Sequence, residues 1–177
     1  MSQPRFAELA TLGFTYFAVG VTVSVALVER GVDAALILGA ALFVYSATSE
    51  LAYVAVADAD GPLLAGVLSG WLVASRFGVL AATLGTRLER GCGERAAAAI
   101  NSFDPNVALA VLQRDEPAVQ RVFWRVTSVM IAGWWVGSIA GLVLGNVLGD
   151  TSRLGLDAVF PAALLAIVGG LLRRPDA

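Results

Sequence analysis

Apolar runs with at most one charged residue each alternate with short polar segments along the chain. A helix needs about 20 residues to cross a bilayer core about 30 Å thick, so runs of this length predict membrane-spanning helices. The predicted spans are residues 12–28, 34–57, 63–84, 123–148 and 157–172. We therefore expect an all-α integral membrane protein with about five transmembrane helices in a single membrane domain over residues 1–177.

The polar segments between the runs carry signals that start and stop helices. Asp33 stands where an N-cap is expected before the second run, and Pro62 is placed to begin the third. Residues 85–121 form the longest polar connection. Within it, Asp104-Pro105 predicts a break between two short helices.

The composition agrees with a membrane protein and argues against a nucleic-acid-binding protein. Hydrophobic residues make up 58% of the chain and the mean hydropathy is +0.77, whereas soluble domains contain roughly 45–50% apolar residues. The net charge is −2. Because the chain has no basic surface to neutralise phosphates, we expect no nucleic-acid partner.

The sequence offers little for catalysis or metal binding. It contains one cysteine, Cys92, and no histidine, which is the commonest catalytic base and metal ligand. No pairing of a nucleophile with a base is visible, so an intramembrane enzyme is the least favoured class. We expect no metal, no cofactor and no enzymatic activity.

The arginines are distributed unevenly between the two predicted faces of the membrane. The face of the N-terminal tail carries Arg5 and Arg153. The other face carries Arg30, Arg87, Arg90, Arg95, Arg114, Arg121, Arg125, Arg173 and Arg174. Because arginines concentrate on the cytoplasmic side, this bias predicts a multi-pass protein of the cell membrane with its N-terminus outside and residues 85–121 in the cytoplasm.

Glycines at intervals of four residues would place a smooth ridge along the helix of span 4. They are Gly133, Gly137, Gly141 and Gly145. Gly13 and Gly20 in span 1 would also let a neighbouring helix approach closely. The pattern predicts close helix packing within the membrane.

A short motif occurs twice in the chain. Gly-Val-Asp-Ala at residues 31–34 is matched by Gly-Leu-Asp-Ala at residues 155–158, and the same offset carries Gly13 onto Gly137. Spans 4 and 5 would then repeat spans 1 and 2 from the opposite side of the membrane, as in the inverted repeats of transporters. Span 3 has no counterpart, so the repeat is incomplete. Chance, or a shared need for N-caps, is the alternative explanation.

Two charged residues lie in the middle of predicted spans, Glu50 in span 2 and Arg76 in span 3. A charge at membrane depth costs about 2.5 kcal/mol or more and is usually tolerated only against a partner, a cavity or water. One hypothesis makes Glu50 a substrate-amine or proton site in a broken helix, which exchanges a proton during transport. The alternative is a structural ion pair between Glu50 and Arg76.

Other polar residues of the spans also allow two interpretations. Ser46, Thr48 and Ser49 either open the helix backbone to a ligand or return hydrogen bonds to the preceding helical turn. Pro161, four residues after Asp157, marks either a kink near a site or a proline tolerated in the first turn after an Asp157 cap.

Four segments resemble a known family. They are Tyr45–Leu51 (Y-S-A-T-S-E-L), Ser75-Arg76, Asp104-Pro105 and Leu154–Ala162 (L-G-L-D-A-V-F-P-A). Together they make almost the whole chain similar to the AzlC family, the large subunit of two-component branched-chain amino acid exporters. The chain departs from the usual family sequence where Ala47 replaces glycine, Glu50 replaces glutamine and Ala74 replaces asparagine.

The resemblance implies export of branched-chain or related amino acids together with a small AzlD-type membrane subunit. It also implies a longer chain, with more hydrophobic sequence after span 5. Because span 3 has no counterpart in the repeat, either this protein is shortened or a partner supplies the closing helix. Our interpretation is a transporter subunit whose substrate path is lined by Tyr45, Ser46, Thr48, Ser49, Glu50, Arg76, Asp157 and Pro161. The alternative is a non-transporting scaffold or accessory subunit whose glycine ridge binds a partner. A homo-oligomer is a further expectation.

Overall fold

The computed structural model describes residues 4–43, 46–87 and 91–148. All regular secondary structure in these ranges is helical, which confirms the predicted all-α class. The helices are α1 (Phe6–Glu29), α2 (Ala34–Phe43), α3 (Ala47–Asp58), α4 (Leu63–Ala74), α5 (Arg76–Gly85), α6 (Cys92–Ile100), α7 (Asp104–Val111) and α8 (Glu116–Leu148).

Within the described ranges, three helical stretches are long and apolar enough to cross a bilayer. They are Phe6–Glu29, Leu63–Gly85 and Glu116–Val147, and they cover the predicted spans 1, 3 and 4. Predicted span 5, and with it the second copy of the repeated motif, lies outside the described residues.

Predicted span 2 is not one continuous helix. It consists of α2 and α3, of ten and twelve residues, and each is shorter than the roughly 17 residues needed to cross the bilayer core. Ser46, the residue before α3, is not helical. Ser46, Thr48 and Ser49 lie together here, and hydroxyl side chains compete for the hydrogen bonds of a helix.

The described residues belong to two compact units. The first contains those of Met1–Gly13 and Thr48–Ile131, and the second contains those of Phe14–Ala47 and Ala132–Ala177. Both α1 and α8 contribute residues to each unit.

In the first unit, an apolar core joins α5, α6, α7 and the beginning of α8. Its buried members are Leu84, Ala98, Val107, Ala110, Val119 and Phe123. A second contact holds α3 against α4. The Ser69 hydroxyl, which donates to the Gly66 carbonyl at 2.7 Å, lies 3.2 Å from the Ala52 carbonyl, and a Cβ added at Gly66 would lie 2.8 Å from the Tyr53 ring. Small residues therefore let α3 and α4 pack closely.

In the second unit, the glycines of α8 pack against α1. A Cβ added at Gly137 would overlap the carbonyl oxygen of Phe17, and one at Gly20 would lie 2.7 Å from the carbonyl oxygen of Trp134. The close packing predicted from the glycine pattern is confirmed at these positions. The Trp134 indole N–H also donates to the Ala41 carbonyl at 3.1 Å, which satisfies one of the carbonyls that a helix leaves unpaired at its C-terminal end.

Candidate functional site

The hydrogen bonding of the membrane-spanning stretch Leu63–Gly85 is interrupted at Ser75, between α4 and α5, while the Ser75 backbone keeps helical dihedral angles. The Ser75 hydroxyl donates to the Leu72 carbonyl at 2.6 Å. In a continuous helix this carbonyl would accept the hydrogen bond of the Arg76 N–H, so the serine side chain competes with the helical hydrogen bond. The interruption lies in the middle of the stretch, and Arg76 is the first residue of α5.

Arg76 lies in a polar cluster with Thr48 of α3 and Asp104 of α7. Its Nη2 donates a hydrogen bond to the Thr48 Oγ1 at 3.3 Å and lies 3.6 Å from the Asp104 Oδ2. The exposed fractions of the Arg76 and Asp104 side chains are 49% and 61%. The guanidinium carbon also lies 5.0 Å from the centre of the Phe77 ring. We call Thr48, Arg76 and Asp104 the Arg76 cluster.

Asp104 reaches Arg76 because α6 and α7 form a hairpin alongside α5. At one end of the hairpin, Gly85 lies beside the Arg95 guanidinium. At the other end, the rings of Phe77 and Phe103 meet edge to face at 5.5 Å. The helix α6 therefore runs antiparallel to α5, and the turn between α6 and α7 lies level with the interruption at Ser75.

A buried amide fixes the turn at the tip of the hairpin. The fully buried Asn106 donates from Nδ2 to the Asn101 carbonyl and to the Thr127 Oγ1, both at 2.7 Å, and its Oδ1 accepts from the Phe103 N–H at 2.8 Å. These bonds tie the first turn of α7, which carries Asp104, to α8. The backbone of Asp104 is therefore held firmly opposite Arg76.

Glu50 lies apart from this cluster. Its side chain is 8% exposed, and its Oε1 has no hydrogen-bond partner among the described residues. Thr48 and Glu50 are two residues apart on α3, and 3.6 residues per turn places them on nearly opposite sides of the helix. Within the described part of the chain, no ion pair joins Glu50 to Arg76, whose carboxylate neighbour is Asp104.

The structure brings together only some of the residues predicted to line a substrate path. Thr48 and Arg76 meet directly, and Ser46, Ser49 and Glu50 are buried. Tyr45, Asp157 and Pro161 lie outside the described residues. Asp104 and Asn106 were not predicted as site residues.

The helices, their interruptions and their mid-span charges define the chain as an all-helical membrane protein. In a comparison with known families, the model described as AzlC protein matches residues 11–148, most of the chain. The chain belongs to the AzlC family, which is known for membrane proteins related to branched-chain amino acid transport. The match includes the Arg76 cluster and ends before Leu154–Ala162. Comparisons with curated proteins and with solved structures gave no match.

Proposed function

We propose that this chain is the translocating subunit of an exporter of branched-chain or related amino acids, a multi-pass protein of the cell membrane that works with a small membrane partner. Membership of the AzlC family supports the substrate class. The observation that carries the proposal is the Arg76 cluster, an ion pair and a hydroxyl group in the middle of a membrane-spanning stretch.

The depth of the Arg76 cluster supports a transport path. Arg76 lies in the middle of a membrane-spanning stretch, where it pairs with Asp104. Charged groups at that depth face a water-filled cavity or a protein partner, because contact with lipid is expensive. Thr48 also lies at the start of α3, in the span that is divided into α2 and α3, and secondary transporters place substrate and ion sites near divided helices of this kind.

Glu50 is the group that can couple export to an ion. A carboxylate replaces the amide that is usual in the family, and a carboxylate can exchange a proton where an amide cannot. The buried Oε1 has no hydrogen-bond partner among the described residues, and a buried ionised carboxylate without a partner is strongly destabilised. We assign Glu50 the role of proton carrier.

The scaffold alternative depended on a glycine ridge that binds a partner. In the second unit, Gly137 and Gly141 pack against the carbonyl groups of Phe17 and Val21 in α1. The ridge at these positions already has an intramolecular partner, so it gives the scaffold alternative no specific support.

The proposal is tested by efflux of radiolabelled leucine from preloaded cells that express the chain with and without a small AzlD-type subunit. We expect export above background when both are present. Arg76→Gln should slow export about tenfold or more, because charge-assisted hydrogen bonds contribute about 1.5–3 kcal/mol. Arg121→Gln, at an exposed position of α8, is the matched control and should export normally. Efflux that stays at background with the partner present contradicts the proposal.

A further inference from the structure

Building on the proposed function, we infer that Arg76 binds the α-carboxylate of the transported amino acid and that Asp104 is an internal carboxylate which occupies Arg76 when the site is empty. The substrate would displace Asp104 from the guanidinium. Asp104 would thus set the apparent affinity for substrate without contacting it.

The geometry of the ion pair leaves room for a stronger ligand. Both contacts of Arg76 use Nη2, and among the described residues the other guanidinium nitrogens have no hydrogen-bond partner. A guanidinium has five N–H donors in a fork that fits a carboxylate with two parallel hydrogen bonds. Asp104 makes one contact at 3.6 Å, which is longer than a charge-assisted hydrogen bond. A substrate carboxylate can make the two-point contact that Asp104 does not make.

Because Arg76 and Asp104 are exposed, displacing Asp104 by a substrate carboxylate costs little free energy. Arg76 and Asp104 are 49% and 61% exposed, and ion pairs at such positions contribute little because water screens them. A buried pair would be hard to separate, since each charge would lose its compensation. The pair can therefore open and close during a transport cycle.

The residues around Asp104 fix its backbone and leave its side chain free to rotate. Phe103 is 6% exposed, and the Asn106 amide fixes the backbone that follows it. The tip of the hairpin is held in place, so the exchange needs only a rotation of the Asp104 side chain. The half-buried Phe77 ring lies next to the Arg76 guanidinium and offers an apolar surface to the branched side chain of a substrate.

The experiment is leucine counterflow in proteoliposomes that contain the chain and its small partner. We measure KM for the wild type, for Asp104→Asn, and for the control Asp115→Asn at an exposed turn position. Asp104→Asn keeps the shape of the side chain and removes the competing charge. We expect it to lower KM by about 1.5- to fivefold, which corresponds to the roughly 0.2–1 kcal/mol of an exposed ion pair, while the control leaves KM unchanged.

A second measurement uses the wild-type protein and a substrate analogue. Leucinamide keeps the ammonium group and side chain of leucine but has no carboxylate, so it should compete poorly with leucine for the wild-type protein. An unchanged KM in Asp104→Asn, or inhibition by leucinamide as strong as by unlabelled leucine, overturns this inference while leucine counterflow still supports the proposed function. Absence of wild-type counterflow overturns both.

Discussion

Glu50 and Arg76 are both charged residues in apolar segments, but their surroundings differ. Arg76 is half-exposed and contacts Thr48 and Asp104. Glu50 is 8% exposed, with an Oε1 that lacks a hydrogen-bond partner among the described residues. The half-exposed cation suits a group that meets a ligand, and the buried carboxylate suits a group that changes protonation.

Replacing Glu50 by glutamine separates a proton-carrying role from a structural one. If Glu50 carries the proton, Glu50→Gln should exchange leucine at a rate that no longer depends on pH, while the wild-type rate does. Breaking a buried Glu50–Arg76 ion pair would cost about 3–5 kcal/mol. Arg76 is paired with Asp104 instead, so the melting temperature of Glu50→Gln should stay close to that of the wild type.

The pH profile of leucine exchange and thermal unfolding in detergent are measured together on Glu50→Gln. Glu29→Gln, at the exposed end of α1, is the control and should retain both the pH profile and the melting temperature. A Glu50→Gln variant that keeps its pH profile but melts much earlier would show that Glu50 is structural.

The sequence identified charged residues of the site, but it did not identify which residues they contact. The charges of Glu50 and Arg76 stand out because they interrupt apolar runs. Asp104 was singled out only as a helix break beside proline. Its contact with Arg76 spans 28 positions and depends on the α6–α7 hairpin folding back along α5, and no local pattern encodes such packing.

At the scale of elements, the interruptions of the helices were only partly predictable. A break was predicted at Asp104-Pro105, and the structure places it just before, at residues 101–103. Asp104 begins α7 and Pro105 lies in its first turn, where its missing N–H costs no hydrogen bond. The interruption at Ser75 has no proline or glycine beside it, and the Ser75 hydroxyl donates to the Leu72 carbonyl there. The apolar pattern continues through this point, so hydropathy alone predicts one helix.

The packing of α8 on α1 gives a prediction about two glycines. Alanine is a better helix former than glycine by about 1 kcal/mol. At Gly39 in α2 nothing lies within 4 Å of an added Cβ, so Gly39→Ala should stabilise the protein slightly. At Gly137 the added Cβ would overlap the Phe17 carbonyl, and overpacking of this kind costs about 1–3 kcal/mol.

Thermal unfolding of both variants in the same detergent provides the measurement. Gly137→Ala should melt below the wild type and Gly39→Ala at or slightly above it. Equal melting temperatures for the two variants would mean that the contact of α8 with α1 is not as close as the structure places it.

At the scale of the whole molecule, the long apolar runs were sufficient to predict an all-α membrane protein, because a helix is the only single segment that satisfies its backbone hydrogen bonds in lipid. They did not reveal that residues 92–111 form a helical hairpin packed on α5. The inverted repeat stays a prediction, since its second copy at residues 155–158 lies outside the described residues.

The orientation of the chain can be tested with its single cysteine. Cys92 is exposed at the beginning of α6, and the arginine bias predicts that this segment lies in the cytoplasm. A membrane-impermeant thiol reagent should label Cys92 in inverted vesicles and leave it unlabelled in intact cells. Cys92→Ser is the control for background. Labelling in intact cells would reverse the predicted orientation.

The most direct test of the central claim, that the Arg76 cluster is the substrate site, is protection of Thr48→Cys from a thiol reagent by leucine. The variant is made in a Cys92→Ser background, reconstituted with the small partner. Native Cys92, which lies at the other end of the hairpin from Asp104, provides the control position. Leucine should slow the labelling of Thr48→Cys several-fold and leave Cys92 labelling unchanged. Equal labelling rates at Thr48→Cys with and without saturating leucine would contradict the placement of the substrate site.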